Sequence, residues 1–300
     1  MNRTHSRSLG LILLCVVVLV GCKRPDRLDP NANGYQSPIT SADITYAELV
    51  QRYNQTVESF GTLWTRTDVD IEWVDIDEDG DRKYRSESGD GKFIMRGPQE
   101  TALTVEKLGK IYLWAGSNAE HYWLFDRVDG DNKTAYIGAF EKIAQPGRRP
   151  YPLPVRPEMV PYLIGVVPLP EAEALGDDPP PVDLYEGKFL VDLRSLGMRM
   201  LIDPETFRPH RVDLTNRAGF SMLTSKLSGS FPVEVDSVPK AQRPTICKKA
   251  EVYVSGYESR LTVSMDYATT SSRKVRDPMF DFEMLKKALK PDRVELLDRE

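Results

Sequence analysis

Leu63-Trp64-Thr65-Arg66-Thr67-Asp68-Val69-Asp70-Ile71-Glu72-Trp73 alternates without a break. Leu63, Thr65, Thr67, Val69, Ile71 and Trp73 fall on one side of an extended chain. Arg66, Asp68, Asp70 and Glu72 fall on the other. A period of two sustained over that length is the pattern of a long strand with one face buried and one in water. The acidic run Asp77-Glu78-Asp79-Gly80-Asp81 turns the chain, and a second strand is expected within Arg82 to Arg96. Further strands are expected at Thr101 to Lys107, Ile111 to Ala115, Tyr122 to Asp126 and Thr134 to Gly138. They resume at Lys188 to Leu193, Met198 to Asp203, Arg211 to Thr215, Ser221 to Leu227, Ala250 to Ser255 and Arg260 to Tyr267. Turn residues, not helix-length stretches, separate them, so the chain reads as an antiparallel meander and not as βαβ units.

Upstream of the long strand, Thr45-Tyr46-Ala47-Glu48 has capping-box form, with Ile44 and Leu49 placed as a hydrophobic staple. The spacing of Ile44, Ala47, Val50, Tyr53, Val57 and Phe60 predicts one amphipathic helix that stops at Gly61. A helix packed permanently on a core and a helix lying over a lipid cavity predict the same stripe. Downstream, Gln145 to Pro181 is broken by repeated prolines that cannot sit inside a ladder. Its apolar centre, Glu158 to Val167, needs cover and reads as a short helix or packed loop, either a crossover between two sheet halves or a lid. The tail suggests a helix over Phe282 to Leu289 and a last strand over Asp292 to Leu297.

The N terminus places this domain in the cell. Arg3, His5 and Arg7 precede an apolar run from Leu9 to Val20, too short to cross a bilayer, which takes about 20 apolar residues. The run ends in Leu19-Val20-Gly21-Cys22, which resembles the bacterial lipobox. Cleavage before Cys22 makes residues 1–21 a lipoprotein signal peptide and Cys22 the lipidation site, its acyl chains each contributing about 0.8 kcal/mol of membrane affinity per buried CH₂. Residues 22–42, rich in Pro, Asp and Asn, form a flexible tether with a reach of roughly 25 Å. The domain is expected over residues 43–300, with the proline-rich insert at about 145–183, outside the cytoplasm in a bacterial envelope.

The formal charge of −5 becomes more negative once Arg3 and Arg7 leave with the signal. An acidic chain without a basic stripe argues against nucleic acid as a partner. Cys15 leaves with the signal and Cys22 is acylated, so Cys247 is the one remaining thiol and no internal disulfide is available. In Thr-Ile-Cys-Lys-Lys it reads as a structural thiol entering a strand, with a lysine-activated thiol as the alternative. No Gly-x-Ser-x-Gly, His-Glu-x-x-His, P-loop or complete Gly-x-Gly-x-x-Gly is present. Ser271-Ser272-Arg273-Lys274 lacks the companion motifs of a Ser-x-x-Lys enzyme. With only His121 and His210 downstream of the signal, a histidine-rich metal site is excluded. Asp75 to Gly80 matches the first half of a calcium loop, but Ser86 stands at the closing position and Glu87 comes one residue late, so a solvated hairpin tip is the better account. No enzyme, cofactor or metal site is expected.

Four segments resemble the outer-membrane lipoprotein carrier and sorting superfamily, the LolA/LolB-like fold. A helix enters a long strand through Ser59-Phe60-Gly61. A strand ends in Lys92-Phe93-Ile94-Met95-Arg96-Gly97-Pro98. Gly109-Lys110-Ile111-Tyr112-Leu113-Trp114 with Tyr122-Trp123-Leu124-Phe125-Asp126 is similar to the family's hairpin, and Leu201 to Val212, with Asp203-Pro204-Glu205-Thr206, to its strand, Asp-x-x-Thr turn and returning strand. The resemblance covers roughly Ile44 to Tyr267. It implies an α+β fold: a strongly curved antiparallel sheet, a half-open barrel, covered by helices and enclosing an apolar cavity for acyl chains. It carries over no catalytic residues. The long proline-rich insert departs from the family pattern, and an anchored chain does not ferry cargo as a soluble carrier does.

By alternation, such a cavity would be lined by Leu63, Val69, Ile71, Trp73, Leu103, Val105, Ile111 and Leu113, beneath Val50, Tyr53 and Val57. The expected partners are the membrane, through the anchor, and lipid or lipoprotein acyl chains, with other envelope proteins as further candidates. Two alternatives stand beside this reading: a non-catalytic assembly or interaction lipoprotein whose core is filled, and an envelope enzyme without a recognised motif.

Overall fold

The computed structural model describes residues 40–76, 82–128, 133–143, 150–176, 179–236, 238–256 and 258–298. The signal, Cys22, all but the last residues of the tether, and the acidic turn at 77–81 lie outside them. In chain order the elements are β1 (Thr40–Ser41), α1 (Tyr46–Val57), β2 (Thr62–Ile76), β3 (Arg82–Arg96), β4 (Glu100–Lys107), β5 (Lys110–Ser117), β6 (His121–Asp126) and β7 (Thr134–Ala139). After the insert, which holds the four-residue α2 (Val160–Leu163), come β8 (Val182–Tyr185), β9 (Lys188–Leu193), β10 (Met198–Ile202), β11 (Pro209–Thr215), β12 (Ser221–Pro232), β13 (Thr245–Val254) and β14 (Arg260–Thr269). The chain closes with α3 (Phe282–Leu289) and β15 (Arg293–Leu296).

All the strands join one sheet, in the order β1-β8-β9-β10-β11-β12-β13-β14-β2-β3-β4-β5-β6-β7-β15. Two meanders, β8–β14 and β2–β7, are joined where β14 pairs antiparallel with β2. Every neighbouring pair is antiparallel except β15, which lies parallel to β7. The edge strands β1 and β15 do not meet, so the curved sheet stays unclosed. Register shifts in the β4–β5, β10–β11, β11–β12 and β14–β2 pairs supply bends, because an extra residue on one strand increases the local twist.

Helix α1 starts as its sequence dictates. Thr45 accepts from the Glu48 N–H and the Glu48 carboxylate accepts from the Thr45 N–H at 3.0 Å, a complete capping box. Its buried stripe is Tyr46, Leu49, Val50, Tyr53 and Val57, whereas Ala47, expected within the stripe, is exposed. The larger side chains of Tyr46 and Leu49 remove more apolar area from water and set the rotation of the helix.

The inner face of β2–β5 and β9–β14 forms one apolar cluster with this stripe and with Val155, Val160, Leu163, Ile164, Val166 and Leu169 of the insert. Helix is thus a small part of what lies on the inner face, and irregular proline-rich chain is the rest. On the outer face of β6 and β7, Phe282 and Leu285 of α3 bury Trp123, Phe125 and Ala135, with the Phe125 and Phe282 rings stacked at 5.3 Å. Phe280 likewise packs on Ile94 and Ala102. Strand β6 is therefore buried on both faces, which accounts for its unbroken apolar run Tyr122-Trp123-Leu124-Phe125.

Candidate functional site

Among the residues expected from alternation, Val50, Tyr53, Val57, Leu63, Val69, Ile71, Leu103, Val105 and Leu113 are buried together in the inner cluster, and Trp73 packs half-buried at its margin. Ile111 stands apart. Val105 pairs with Leu113 but Glu106 pairs with Ile111, so Tyr112 is an extra residue on β5. That bulge reverses the alternation and sends Ile111 to the face of Glu106, away from the cluster.

The inner face is occupied by the protein's own insert. The void bounded by Ile71, Leu103, Ala115, Leu261 and the segment Leu153 to Val160 holds only about 10 Å³, at or below what one water needs. The insert runs over the strands without joining their ladder. Side-chain hydrogen bonds hold it instead. The Asn54 side chain acts as a one-residue strand: its Nδ2 donates to the Leu169 carbonyl at 2.9 Å and its Oδ1 accepts from the Leu169 N–H at 2.8 Å. The Tyr53 hydroxyl donates to the Val167 and Gly165 carbonyls at 3.1 and 3.3 Å, and the Tyr46 hydroxyl to Pro170 at 2.9 Å. At the near end, the Tyr151 hydroxyl donates to the Trp123 carbonyl at 3.0 Å. Burial pushes the Tyr46 phenol up to about 12 and raises those of Tyr53 and Tyr151, so all three stay protonated donors at neutral pH. Gly165 sits at φ 70°, and a Cβ there would lie 2.2 Å from Pro209 Cγ, so the backbone just past α2 packs directly on the proline ring at the start of β11.

The covered face opens at both ends of β10 and β11. At the Met198–Leu214 end a groove of about 330 Å³ is lined by Met159, Tyr162, Leu196, Met198, Leu214 and Thr215, with no charged side chain. The Thr215 hydroxyl is buried there without a hydrogen-bond partner. At the Ile202–Pro209 end a second groove of about 400 Å³ is walled by Asp203, Glu205, Thr206, Arg208 and His210 and floored by Val57, Ile164, Leu227 and Ile246. A smaller apolar void of about 160 Å³ lies between Val57, Phe60, Met95 and Val166 to Pro168. These two grooves fall in the size range of small-molecule sites, about 300–1,000 Å³. The alternation pattern missed both, because each joins strand residues to turn and insert residues that share no period with them; the exposed-apolar Leu196 and the charged turn Asp203 to His210 were the signals available.

Cys247 lines the second groove, its thiol donating to the Ile164 carbonyl at 3.6 Å, and burial pushes its pKa up to about 12. Burial and the nearby Lys188 hold His210 below the usual imidazole value, so it is neutral at pH 7. Among the described residues no group of three or more His, Cys, Asp or Glu is placed to hold a metal ion, and no helix is long and apolar enough to cross a membrane.

Fold and site together define a class: a large, curved, unclosed, almost wholly antiparallel sheet whose apolar inner face is covered by chain from outside the ladder. No protein-family profile matches the chain, and no curated protein matches it. Among solved structures it is similar to a LolA superfamily protein from Nitrosomonas europaea, at 10% identity and TM-score 0.44, over 80% of this chain and 99% of that one. It is also similar to a putative outer membrane lipoprotein-sorting protein domain from Vibrio parahaemolyticus, at 10% identity and TM-score 0.43, over 84% and 98%. A DUF1329 family protein from Desulfovibrio piger matches at 11% identity and TM-score 0.43, over 80% and 97%.

Proposed function

We propose that this chain is a non-enzymatic, lipid-anchored lipoprotein of a bacterial envelope that takes lipid or lipoprotein acyl chains onto the inner face of its sheet. One observation carries the reading. The apolar inner face is covered not by closure of the sheet but by Leu153 to Leu169, a segment held through side-chain bonds from α1 and able to leave without breaking a strand pair. Where that segment stops covering the strands, an uncharged apolar groove of about 330 Å³ begins. An acyl chain that displaces the insert exchanges one apolar contact for another, at about 25 cal/mol per Å² of area kept from water. The anchor at Cys22 and the tether keep the domain within reach of a bilayer. The β4–β5 turn fits such an approach, since Leu108 is fully exposed there at φ 51° between Lys107 and Lys110.

A second reading is favoured by the 10 Å³ interior void: the insert is permanent filling, and the protein is an assembly or interaction lipoprotein. The two are separated by purifying the full chain from membranes, removing detergent-exchangeable lipid and offering dioleoyl phospholipids, with the complex weighed by native mass spectrometry. One lipid retained per chain, and its loss in Val160→Asp with the sheet still folded by circular dichroism, supports acyl-chain binding. A chain that copurifies bare and takes up none of the added lipid overturns it in favour of the filled core.

A further inference from the structure

We infer that the groove walled by Asp203, Glu205, Arg208 and His210 is a head-group subsite for a zwitterionic amphiphile, one carrying both an ammonium and a phosphate. The inference rests on the acyl-chain reading above and assigns the polar end of the same ligand. The grooves that open the inner face differ in chemistry. That at the Met198–Leu214 end has no charged lining, and the void beside Phe60 and Met95 touches only Glu58 among charged residues. Charge collects at the third opening, the groove of about 400 Å³ around the β10–β11 turn. Its floor, Val57, Ile164, Leu227 and Ile246, belongs to the inner apolar cluster itself. A ligand lying with its tail among those residues would therefore bring its head out between carboxylates and a guanidinium.

The charges there are fixed by the fold and not by each other. The Asp203 carboxylate accepts the N–H groups of Thr206 and Glu205, at 2.9 and 3.2 Å, and the Thr206 hydroxyl at 2.9 Å, with Lys188 Nζ at 3.6 Å. These bonds hold its pKa below the ordinary aspartate value, so it is anionic at neutral pH. Glu205 is exposed on the same turn. Arg208 is oriented by donating from Nη1 to the Ser230 hydroxyl at 2.8 Å, with no carboxylate bonded to it in that contact. The turn is rigid: Phe207, next to Arg208, is held at φ 54° with its ring buried against Phe189 at 6.0 Å and under the Arg52 guanidinium at 5.1 Å. A bulky residue in that backbone region is held there by its surroundings. The neutral His210 and the un-ionised Cys247 thiol leave the balance to two carboxylates and one guanidinium, flanked by Lys188. A purely anionic head group would meet both carboxylates, and a purely cationic one the arginine. A head with a phosphate for Arg208 and an ammonium for Glu205 satisfies both.

The test uses the full chain in a non-ionic detergent, offered equal amounts of dioleoyl phosphatidylethanolamine and dioleoyl phosphatidylglycerol, with bound lipid resolved by native mass spectrometry. The wild type should favour the ethanolamine lipid at least threefold. Glu205→Lys, an exposed turn substitution, should reverse the preference toward the glycerol lipid, and Arg208→Glu should weaken both, with total β-structure unchanged by circular dichroism. Uptake of both lipids in equal amounts by the wild type, or a preference that Glu205→Lys leaves unmoved, overturns the head-group assignment while leaving acyl-chain binding intact. Uptake of neither lipid overturns both.

Discussion

Asn54→Leu keeps the size and burial of the side chain and removes the two bonds that tie α1 to the insert at Leu169. Asn54 and Leu169 are both buried, 7% and 2% exposed, so water does not replace the lost partners while the segment stays in place. Leaving a buried N–H and a buried carbonyl unpaired costs about 1–3 kcal/mol each, or roughly 2–6 kcal/mol for the pair. The third bond, from Asn54 Nδ2 to Glu171 Oε1 at 3.1 Å, is nearer the surface and adds less. The strand ladder does not include this segment, so the cost is expected as local opening of the insert and not as unfolding of the sheet. Peptide-level amide hydrogen exchange is the assay. At one factor of ten per 1.4 kcal/mol, protection around Leu169 should fall by roughly 30- to 20,000-fold, while β2, paired along its length with β3 and along most of it with β14, keeps its protection. Unchanged exchange around Leu169 would refute the argument that Asn54 is what holds the insert down. Equal loss of protection in β2 would refute the claim that the insert opens separately.

Two further outcomes follow from the same geometry. Gly165→Ala places a methyl 2.2 Å from Pro209 Cγ at a backbone position of φ 70°, so overpacking and left-handed strain combine to destabilise by about 2–4 kcal/mol, read as a lowered urea midpoint. Cys247, with its pKa pushed up to about 12, should resist iodoacetamide at pH 8 in the folded protein and react fully in guanidinium chloride; fast labelling of the native chain would mean that the groove reaches its sulfur.

The strands were legible because alternation survives wherever one face is buried and the other solvated, as along β2, or where turn residues bound a short apolar run, as at β9. Three features were not. The bulge at Tyr112 is a single residue that leaves composition unchanged yet turns Ile111 outward. The short strands β1 and β8 are two and four residues long beside prolines, too brief to show a period. The outer layer from Phe280 to Leu285 was hidden because a tail helix gives no sign of which surface it covers. The run Tyr122 to Phe125, apolar on both faces, was the available signal that something covers the outside of β6. At the site, the residues of β2, β4 and α1 could be read from their period, but their occupant could not. Val160, Leu163 and Ile164 follow the spacing of the one-turn helix α2, but Val155, Val166 and Leu169 belong to no repeating pattern, because prolines break the backbone on either side of that turn.

That irregular filling bears on how a ligand would enter. Exposing six buried aliphatic side chains of the described insert, Val155, Val160, Leu163, Ile164, Val166 and Leu169, to water would cost roughly 9–18 kcal/mol at about 1.5–3 kcal/mol each, so an open and empty state is scarcely populated. One acyl chain burying about 15 methylenes offsets roughly 12 kcal/mol of that. On the acyl-chain reading, opening and filling would be a single coupled event, the insert leaving as the chain arrives, and a ligand-free protein would be found closed, with the void of about 10 Å³ beside Leu153 to Val160. The void of about 10 Å³, which favours permanent filling, is on that account compatible with exchange as well. What separates them is whether the insert's attachment is weak enough to be exchanged, and most of its side-chain bonds come from Tyr46, Tyr53 and Asn54 on one face of α1, with Tyr151 at the near end and the Cys247 thiol on Ile164 between. A permanent filler needs no such economy, since it would be better secured by a strand pair than by side chains from a single helix.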